Sequence, residues 1–402
     1  MIVNRKRYRL MKNRTAHYTL VQSFNWGSYA AVWVYIVIIL RSYGMTYAGA
    51  GIVTSLASVL AITLQQVLSG AADRSRRFTS TKAALVQIGA AILLAAFLLV
   101  SRRAGMITAG ICFCAIGVCI TGIQPFLSAV AMEQVRAGRA LHFGFARGCG
   151  SVAYAVMSAV SGRILTQFGK EGLLVTFIVL YSVEFLTVAT FAGKRSAPEE
   201  TEPRAGQAVS GFRLLLGHPR FAVFLLSSAL LYSSYMLAAT YMDAIVTRAG
   251  GEASSLGVVI AVGAAFEMPA MIAAPWLMRR FSQKKVLVFA GAMFFVRMIA
   301  LFFAPNMPLL YAAWALQAFS YGFFTPVSVY YVNDLIDPAN QTKGQAMNFG
   351  STTVGGVIGN LIGGRLVDVF GIGTTLLAAA GLSFAGLLLL IIVFSARSRS
   401  DR

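Results

Sequence analysis

The sequence predicts an all-α membrane protein of about twelve transmembrane helices, built as two similar six-helix halves, from its apolar stretches, its basic residues and an internal repeat. The apolar stretches come first. Only 12% of residues are charged and the mean hydropathy is +0.72, whereas soluble domains carry about a quarter charged residues. Stretches long enough to span a bilayer fall at roughly 17–40, 46–70, 82–101, 105–131, 142–167 and 172–193, here spans 1 to 6. Spans 7 to 12 follow at roughly 220–246, 254–278, 285–304, 307–334, 342–368 and 373–396. Each is apolar all round, which distinguishes a spanning helix from a surface amphipathic one. Between the sets lies a polar break containing SAPEETEPRAGQ, poor in aromatic and β-branched residues, which reads as a flexible linker. The expected organisation is residues 1–193 as one bundle, 194–219 as a cytoplasmic linker and 220–402 as a second bundle.

The basic residues give the chain an orientation. The net charge of +20 follows the spans: 25 of 34 basic residues fall in the two tails and alternate loops, and five in the opposite loops. By the positive-inside rule both termini are cytoplasmic, as an even number of spans requires. Nucleic-acid binding needs a basic face on a water-soluble body, and this pattern supplies none. The first apolar stretch is of spanning length without a small-residue cleavage site, so it is expected to remain as span 1. Cys112, Cys114, Cys119 and Cys149 fall within spans 4 and 5 and read as reduced packing residues.

The repeat makes the duplication visible. SGRILTQFG, from Ser161, and GGRLVDVFG, from Gly363, share Gly, Arg, two aliphatics, Phe and Gly in register at an offset of 202 residues. GAADRSRRF, from Gly70, has a weaker counterpart in APWLMRRFSQKK about 205 residues on.

Gly70, Asp73, Arg74, Arg76 and Arg77 resemble the signature loop between helices 2 and 3 of the major facilitator superfamily. In that reading Gly70, Asp73, Arg74 and Arg77 form a gating loop, the Asp73 carboxylate holding arginines and helix N-termini in one conformation. The second copy has Met278 where an acid is expected, so the clamp is asymmetric. HFGFARGCGSVAY, from His142, resembles span 5 of the oligosaccharide:proton symporter family, the lactose-permease-like branch. The resemblance implies that Arg147 binds sugar and that Tyr154 stands where an aromatic stacks on the sugar ring. It also implies the major facilitator fold, a bacterial plasma (cytoplasmic) membrane, a carrier working as a monomer and proton symport. The stretch APWLMRRFSQKKVLVFAGAMFFVRMIA resembles the family's spans 8 and 9 and matches a family arginine to Arg297. Other family positions depart: carboxylates expected on spans 4 and 8 fall at Ala129 and Ala264, and a His and a Glu on span 10 fall at Gln317 and Ser320. Lactose itself is therefore not implied. Glu267 and Pro269 resemble the span 8 pattern of sugar-efflux and nucleoside relatives.

Charge at bilayer depth is costly, about 2.5 kcal/mol or more per group, and is tolerated mainly around an internal cavity. Arg147, Glu267 and Arg297 meet that description. Glu267 is the candidate proton site, with Arg297 exchanging an ion pair for the proton; the same two residues also read as a structural ion pair locking spans 8 and 9. The uncharged candidates for substrate binding are Gln22 and Asn25 on span 1, Gln124 on span 4, Gln317 and Tyr321 on span 10 and Asn348 on span 11. Tyr29 accompanies them, and Trp26 and Tyr154 offer flat faces to a hydroxylated solute. Asp243, near the outer end of span 7, and Glu184 in span 6 are further, weaker candidates, and anchoring at an interface or a partner at a helix end explains each about as well as a functional role. Arg163 and Arg365 are expected to snorkel from helix ends. Gly355, Gly359 and Gly363, and Gly144 and Gly148, read as packing seams, and Pro125 and Pro269 as kinks in spans 4 and 8.

These residues favour proton-coupled movement of a sugar- or nucleoside-like solute by alternating access. An organic-anion carrier and a multidrug exporter are the competing carriers. Nothing in the sequence suggests an enzyme. No His or Cys cluster is present for a metal or cofactor, no catalytic set lies at bilayer depth, and no Gly-x-x-x-x-Gly-Lys-Ser/Thr run supports an ATP-driven pump.

Overall fold

The computed structural model describes residues 2–74, 78–101, 104–136, 141–191, 211–337 and 340–395. In chain order the helices are α1 (Ile2–Trp33), α2 (Ile36–Ser42), α3 (Tyr47–Arg74), α4 (Ser80–Val100), α5 (Met106–Gly122), α6 (Gln124–Arg136) and α7 (Phe143–Phe191). They continue as α8 (Gly211–Gly217), α9 (Pro219–Thr240), α10 (Met242–Arg248), α11 (Ala253–Arg280), α12 (Gln283–Phe302), α13 (Met307–Ala315), α14 (Tyr321–Leu335) and α15 (Gln341–Ser395). Among the described residues eight helices are long and apolar enough to cross a membrane, and the α1–α2 pair, bent by 41°, makes a ninth. The long helices α7 and α15 each hold two spans, and α13 and α14 form one interrupted span, so the helices are consistent with twelve.

Local chemistry sets the breaks. α7 turns at Gly169 (φ 68°) and α15 at Gly371 (φ 76°), left-handed conformations that an L side chain resists. These two glycines close the SGRILTQFG and GGRLVDVFG segments. Pro125 lacks the N–H that the Thr121 carbonyl would accept, and the helix stops at Gly122 and restarts at Gln124, where the sequence expects a kink. α11, by contrast, is not divided at Pro269 or Pro275. Short connections are closed by caps: the Thr79, Ser282 and Asn306 side chains accept from the N–H groups of Lys82, Lys285 and Leu309. Ser28, Ser228 and Ser233 donate back to carbonyls four residues earlier, which satisfies their hydroxyls without water.

The chain divides into two compact units: Met1–Met45, Val53–Glu199 and Ala253–Ala261 form unit 1, and Thr46–Ile52, Glu200–Glu252 and Val262–Arg402 form unit 2. In unit 1, α7 packs along α1 and α4. Tyr18 of α1 lies between Phe143 and Phe191, at 5.8 and 5.4 Å. In unit 2, α9 and α12 pack on α15 around Phe221, Phe224, Tyr232, Phe294, Phe324 and Leu390. Leu93, Ile107 and Ile272 are 72%, 72% and 70% exposed, as lipid-facing side chains are. Apolar lipid tails give no hydrophobic drive between helices, so these cores hold by close packing and satisfied polar groups.

The repeat is deeper than the sequence reading found. α2 and α10 are both seven-residue helices preceded by a tyrosine, Tyr35 or Tyr241, and followed by a left-handed glycine, Gly44 or Gly250. In unit 1 the Tyr35 hydroxyl donates to the Ser158 carbonyl at 2.7 Å; in unit 2 the Tyr241 hydroxyl donates to the Asn360 carbonyl. A glycine seals each clasp. A Cβ on Gly257 would meet the Ser158 carbonyl and the Tyr35 hydroxyl, and one on Gly51 would meet the Asn360 carbonyl and the Tyr241 hydroxyl. Asp368 completes the unit 2 copy by accepting from the N–H groups of Tyr47 and Ala48, which open α3.

The expected small-residue seams divide. Gly355, Gly359 and Gly363 lie against α9 and Tyr241. The seam expected at Gly144 and Gly148 is absent: among the described residues no neighbouring atom comes within 4 Å of a Cβ at either position. A fourfold spacing shows that backbones can approach there, not that a helix does. Gly150 makes that contact instead, against Trp26 and the Gln22 backbone.

Candidate functional site

Each unit contains a polar and aromatic cluster. In unit 1 the Arg147 guanidinium lies over the Trp26 ring, 4.1 Å from its centroid, and donates to Ser151 Oγ at 3.0 Å. Trp26 Nε1 donates to Gln22 Oε1 at 3.2 Å, and Gln22 Nε2 donates to the Tyr18 hydroxyl at 2.7 Å. Gln124 Nε2 also donates to Gln22 Oε1, at 3.3 Å, while Asn25 Nδ2 donates to Gln124 Oε1 at 3.1 Å. Tyr154 faces Trp26 edge-on at 6.2 Å and Tyr29 at 6.3 Å, and Tyr29 continues the wall to Trp33 at 6.2 Å. Helical spacing produces this convergence. Arg147 and Tyr154 stand two turns apart on one face of α7, and Gln22, Trp26 and Tyr29 stand on one face of α1. Gln22, Asn25, Gln124, Arg147 and Tyr154, named separately in the sequence, are thus drawn into one network.

In unit 2, Glu267 of α11 accepts from Gln317 Nε2 at 2.5 Å. Gln317 sits in the 3-10 turn Leu316–Ala318, which interrupts the span between α13 and α14. Arg297 is wholly buried, its guanidinium 4.0 Å from the Trp314 ring and 5.2 Å from the Tyr235 ring. Tyr235 stacks on Tyr321 at 4.7 Å, and Tyr321 meets Tyr232 edge-on at 5.9 Å. The Tyr232 hydroxyl bonds Thr325 at 3.3 Å, and Asn348 Nδ2 donates to Ser328 Oγ at 3.1 Å one layer on.

The ion pair expected between Glu267 and Arg297 does not form. The three guanidinium nitrogens of Arg297 have no hydrogen-bond partner among the described residues, and Glu267 is held by the neutral amide of Gln317. The aromatic faces of Trp314 and Tyr235 take the place of a carboxylate, because desolvation strengthens a cation–π contact. Sequence reasoning passed over Trp314, Tyr235 and Ser151. Trp314, three residues before Gln317 on an apolar span, carried the clearest signal.

The other candidates separate. Asp243 lies in the first turn of α10, where a carboxylate suits the helix dipole. Arg163 and Arg365 are exposed. Glu184 lies within α7, between its break at Gly169 and its end at Phe191, and is buried. Of the expected gating loop, Gly70, Asp73 and Arg74 belong to the last turns of α3, and Arg76 and Arg77 lie outside the described residues.

The sequence matches the MFS_1 like family over residues 17–378. It is 22% identical to an uncharacterized transporter, YwbF, of Bacillus subtilis (strain 168) over 249 residues, a match covering 61% of this chain and 60% of that protein. It is 24% identical to a maltose permease of Geobacillus stearothermophilus over 356 residues, 86% of each chain. Among solved structures the nucleoside transporter NupG aligns with a TM-score of 0.81 at 15% identity, covering 96% of this chain and all of that one. A bacterial homologue of the iron transporter ferroportin, in an inward-facing state, aligns at 0.72 with 14% identity, covering 96% of this chain and 100% of that one. At these identities the structural likeness establishes the fold alone.

Proposed function

Because the chain belongs to the MFS_1 like family, a family of multi-pass membrane transporters, we propose that it is a proton-coupled secondary carrier of a small polar solute of the sugar or nucleoside kind. The observation that carries this reading is the unit 1 network, in which three side-chain amides, an arginine and an aromatic wall converge within a bilayer-spanning bundle. Amides and arginine suit hydroxyls and ring heteroatoms, and flat faces suit a sugar ring or a base. The similarity to a maltose permease and to a nucleoside transporter supports the same two substrate classes.

Gln317 equips Glu267 for proton exchange. Its N–H donates to the carboxylate, while its own Oε1, buried and without a partner among the described residues, can accept the O–H of the protonated acid after a turn of the amide. One neutral neighbour thereby serves both protonation states. The reading includes a bacterial plasma membrane, both termini in the cytoplasm and a working monomer.

The test is a thermal-shift panel of sugars, nucleosides and organic acids, since a ligand stabilises only the fold that binds it. One sugar or nucleoside class is expected to raise the midpoint in wild type, and Arg147→Ala is expected to abolish that shift. In proteoliposomes, Glu267→Gln is expected to lose accumulation driven by a pH gradient while solute exchange survives. Wild-type accumulation by the Gln variant would remove Glu267 from the coupling role. A second reading, an organic-anion carrier, is favoured by the guanidinium of Arg297, which no protein group hydrogen-bonds among the described residues. Stabilisation by organic acids alone would select it.

A further inference from the structure

Glu184 is the buried titratable group that the proposed mechanism leaves unused. It is 0% exposed, and neither carboxyl oxygen has a hydrogen-bond partner among the described residues. Tyr181 stands on the same face of α7 three residues earlier, its ring stacked on Phe177 at 4.5 Å and its buried hydroxyl likewise without a partner. The groups that act electrostatically on that hydroxyl are Glu184 itself, Cys119 of α5 and Tyr29 of α1, and no Lys or Arg is among them. Tyr29 also belongs to the aromatic wall that Tyr154, Trp26 and Trp33 form beside Arg147.

A carboxylate in this position is shut away from solvent and has neither a cation beside it nor a donated hydrogen bond among the described residues, the things that make ionisation tolerable. The neutral acid lacks only hydrogen bonds. Glu184 lies within α7, before its end at Phe191, with its side chain closed off from the surface.

We propose that Glu184 is a proton-binding site of unit 1, held as the neutral acid in this packed state, with Tyr181 and Tyr29 leading from it toward the Arg147 cluster. When packing between α1 and α7 loosens and water enters along Tyr29, the acid O–H bond breaks. The electron pair stays on the carboxylate and the proton passes to that water, while the Tyr181 hydroxyl turns to donate to the carboxylate left behind. This site is additional to Glu267, which belongs to unit 2.

Infrared absorption of the purified protein in lipid vesicles tests the proposal, using wild type, Glu184→Gln, Glu267→Gln and Tyr181→Phe in H2O and in D2O. The expected result at neutral pH is a protonated-carboxyl C=O band in wild type and E267Q that is missing from E184Q. That band shifts on transfer to D2O, and more slowly in Y181F. Glutamine copies the shape of the neutral acid, and Glu184→Leu is a second variant should E184Q fold poorly. If Glu184→Gln or Glu184→Leu keeps the band, it does not arise from Glu184, and if wild type lacks it, Glu184 is ionised; either result overturns the proposal. A band that never shifts in D2O overturns it too, since a sealed acid exchanges no proton. No transported solute enters the measurement, so its failure leaves the transport reading standing, and a failed transport assay leaves the band intact.

Discussion

Arg297 shows how one residue decides what its neighbours must be. A buried guanidinium with no hydrogen-bonded carboxylate among the described residues needs other groups to answer its charge, and here two ring faces do so at 4.0 and 5.2 Å. Lysine at this position keeps the charge and loses the flat cation that stacks. Arg297→Lys is therefore expected to lower the midpoint of thermal unfolding, on a scale of about 2 kcal/mol for a desolvated stack. Trp314→Phe, which keeps a ring face, is expected to lower it less, and equal shifts would remove stacking as the cause. The charged and amide residues of both clusters were legible in the sequence as polar groups on apolar spans. Their partners were not, because residue spacing along one helix says nothing of which ring on another helix lies over a cation. The alternative reading of Glu267 and Arg297 as a structural ion pair failed for that reason.

At the scale of elements, apolar length and the 202-residue repeat located nearly every span, and breaks that rest on one residue's covalent chemistry, as at Pro125, were legible too. The interruption between α13 and α14 was not. Nothing in Leu316–Ala318 is unusual for a helix, and the turn is set by its surroundings. The tyrosine clasps escaped notice because a hydroxyl bonded to a backbone carbonyl has no second side chain to find. They yield a sharp expectation, since a Cβ on Gly257 would stand far inside contact distance of the Ser158 carbonyl, whereas one on Gly148 would meet open space. Gly257→Val is expected to destabilise the protein by about 1–3 kcal/mol, the usual cost of overpacking. Gly148→Val is expected to leave the unfolding midpoint close to wild type. Equal effects, read by thermal unfolding in detergent, would contradict the contact.

At the scale of the molecule, charge and membrane chemistry act together. Basic residues concentrate in the tails and alternate loops, the pattern of a chain whose two ends share the compartment where positive charge is retained. A green fluorescent protein fused after Arg402 is expected to fluoresce in a bacterial host, and a periplasmic alkaline phosphatase fused there to be inactive. The reverse pair of results would invert the topology.

The two clasps also bear on how the halves have diverged. Their acceptors are the carbonyls of Ser158 and Asn360, residues with unrelated side chains at positions 202 apart. Since every amino acid supplies the same carbonyl, mutation at the acceptor position is nearly silent for the clasp, while the tyrosine hydroxyl and the bare Cα of the facing glycine have no such substitute. Each contact thereby tolerates change in one of its partners. The ancestral symmetry survives in the geometry after it has faded from the letters.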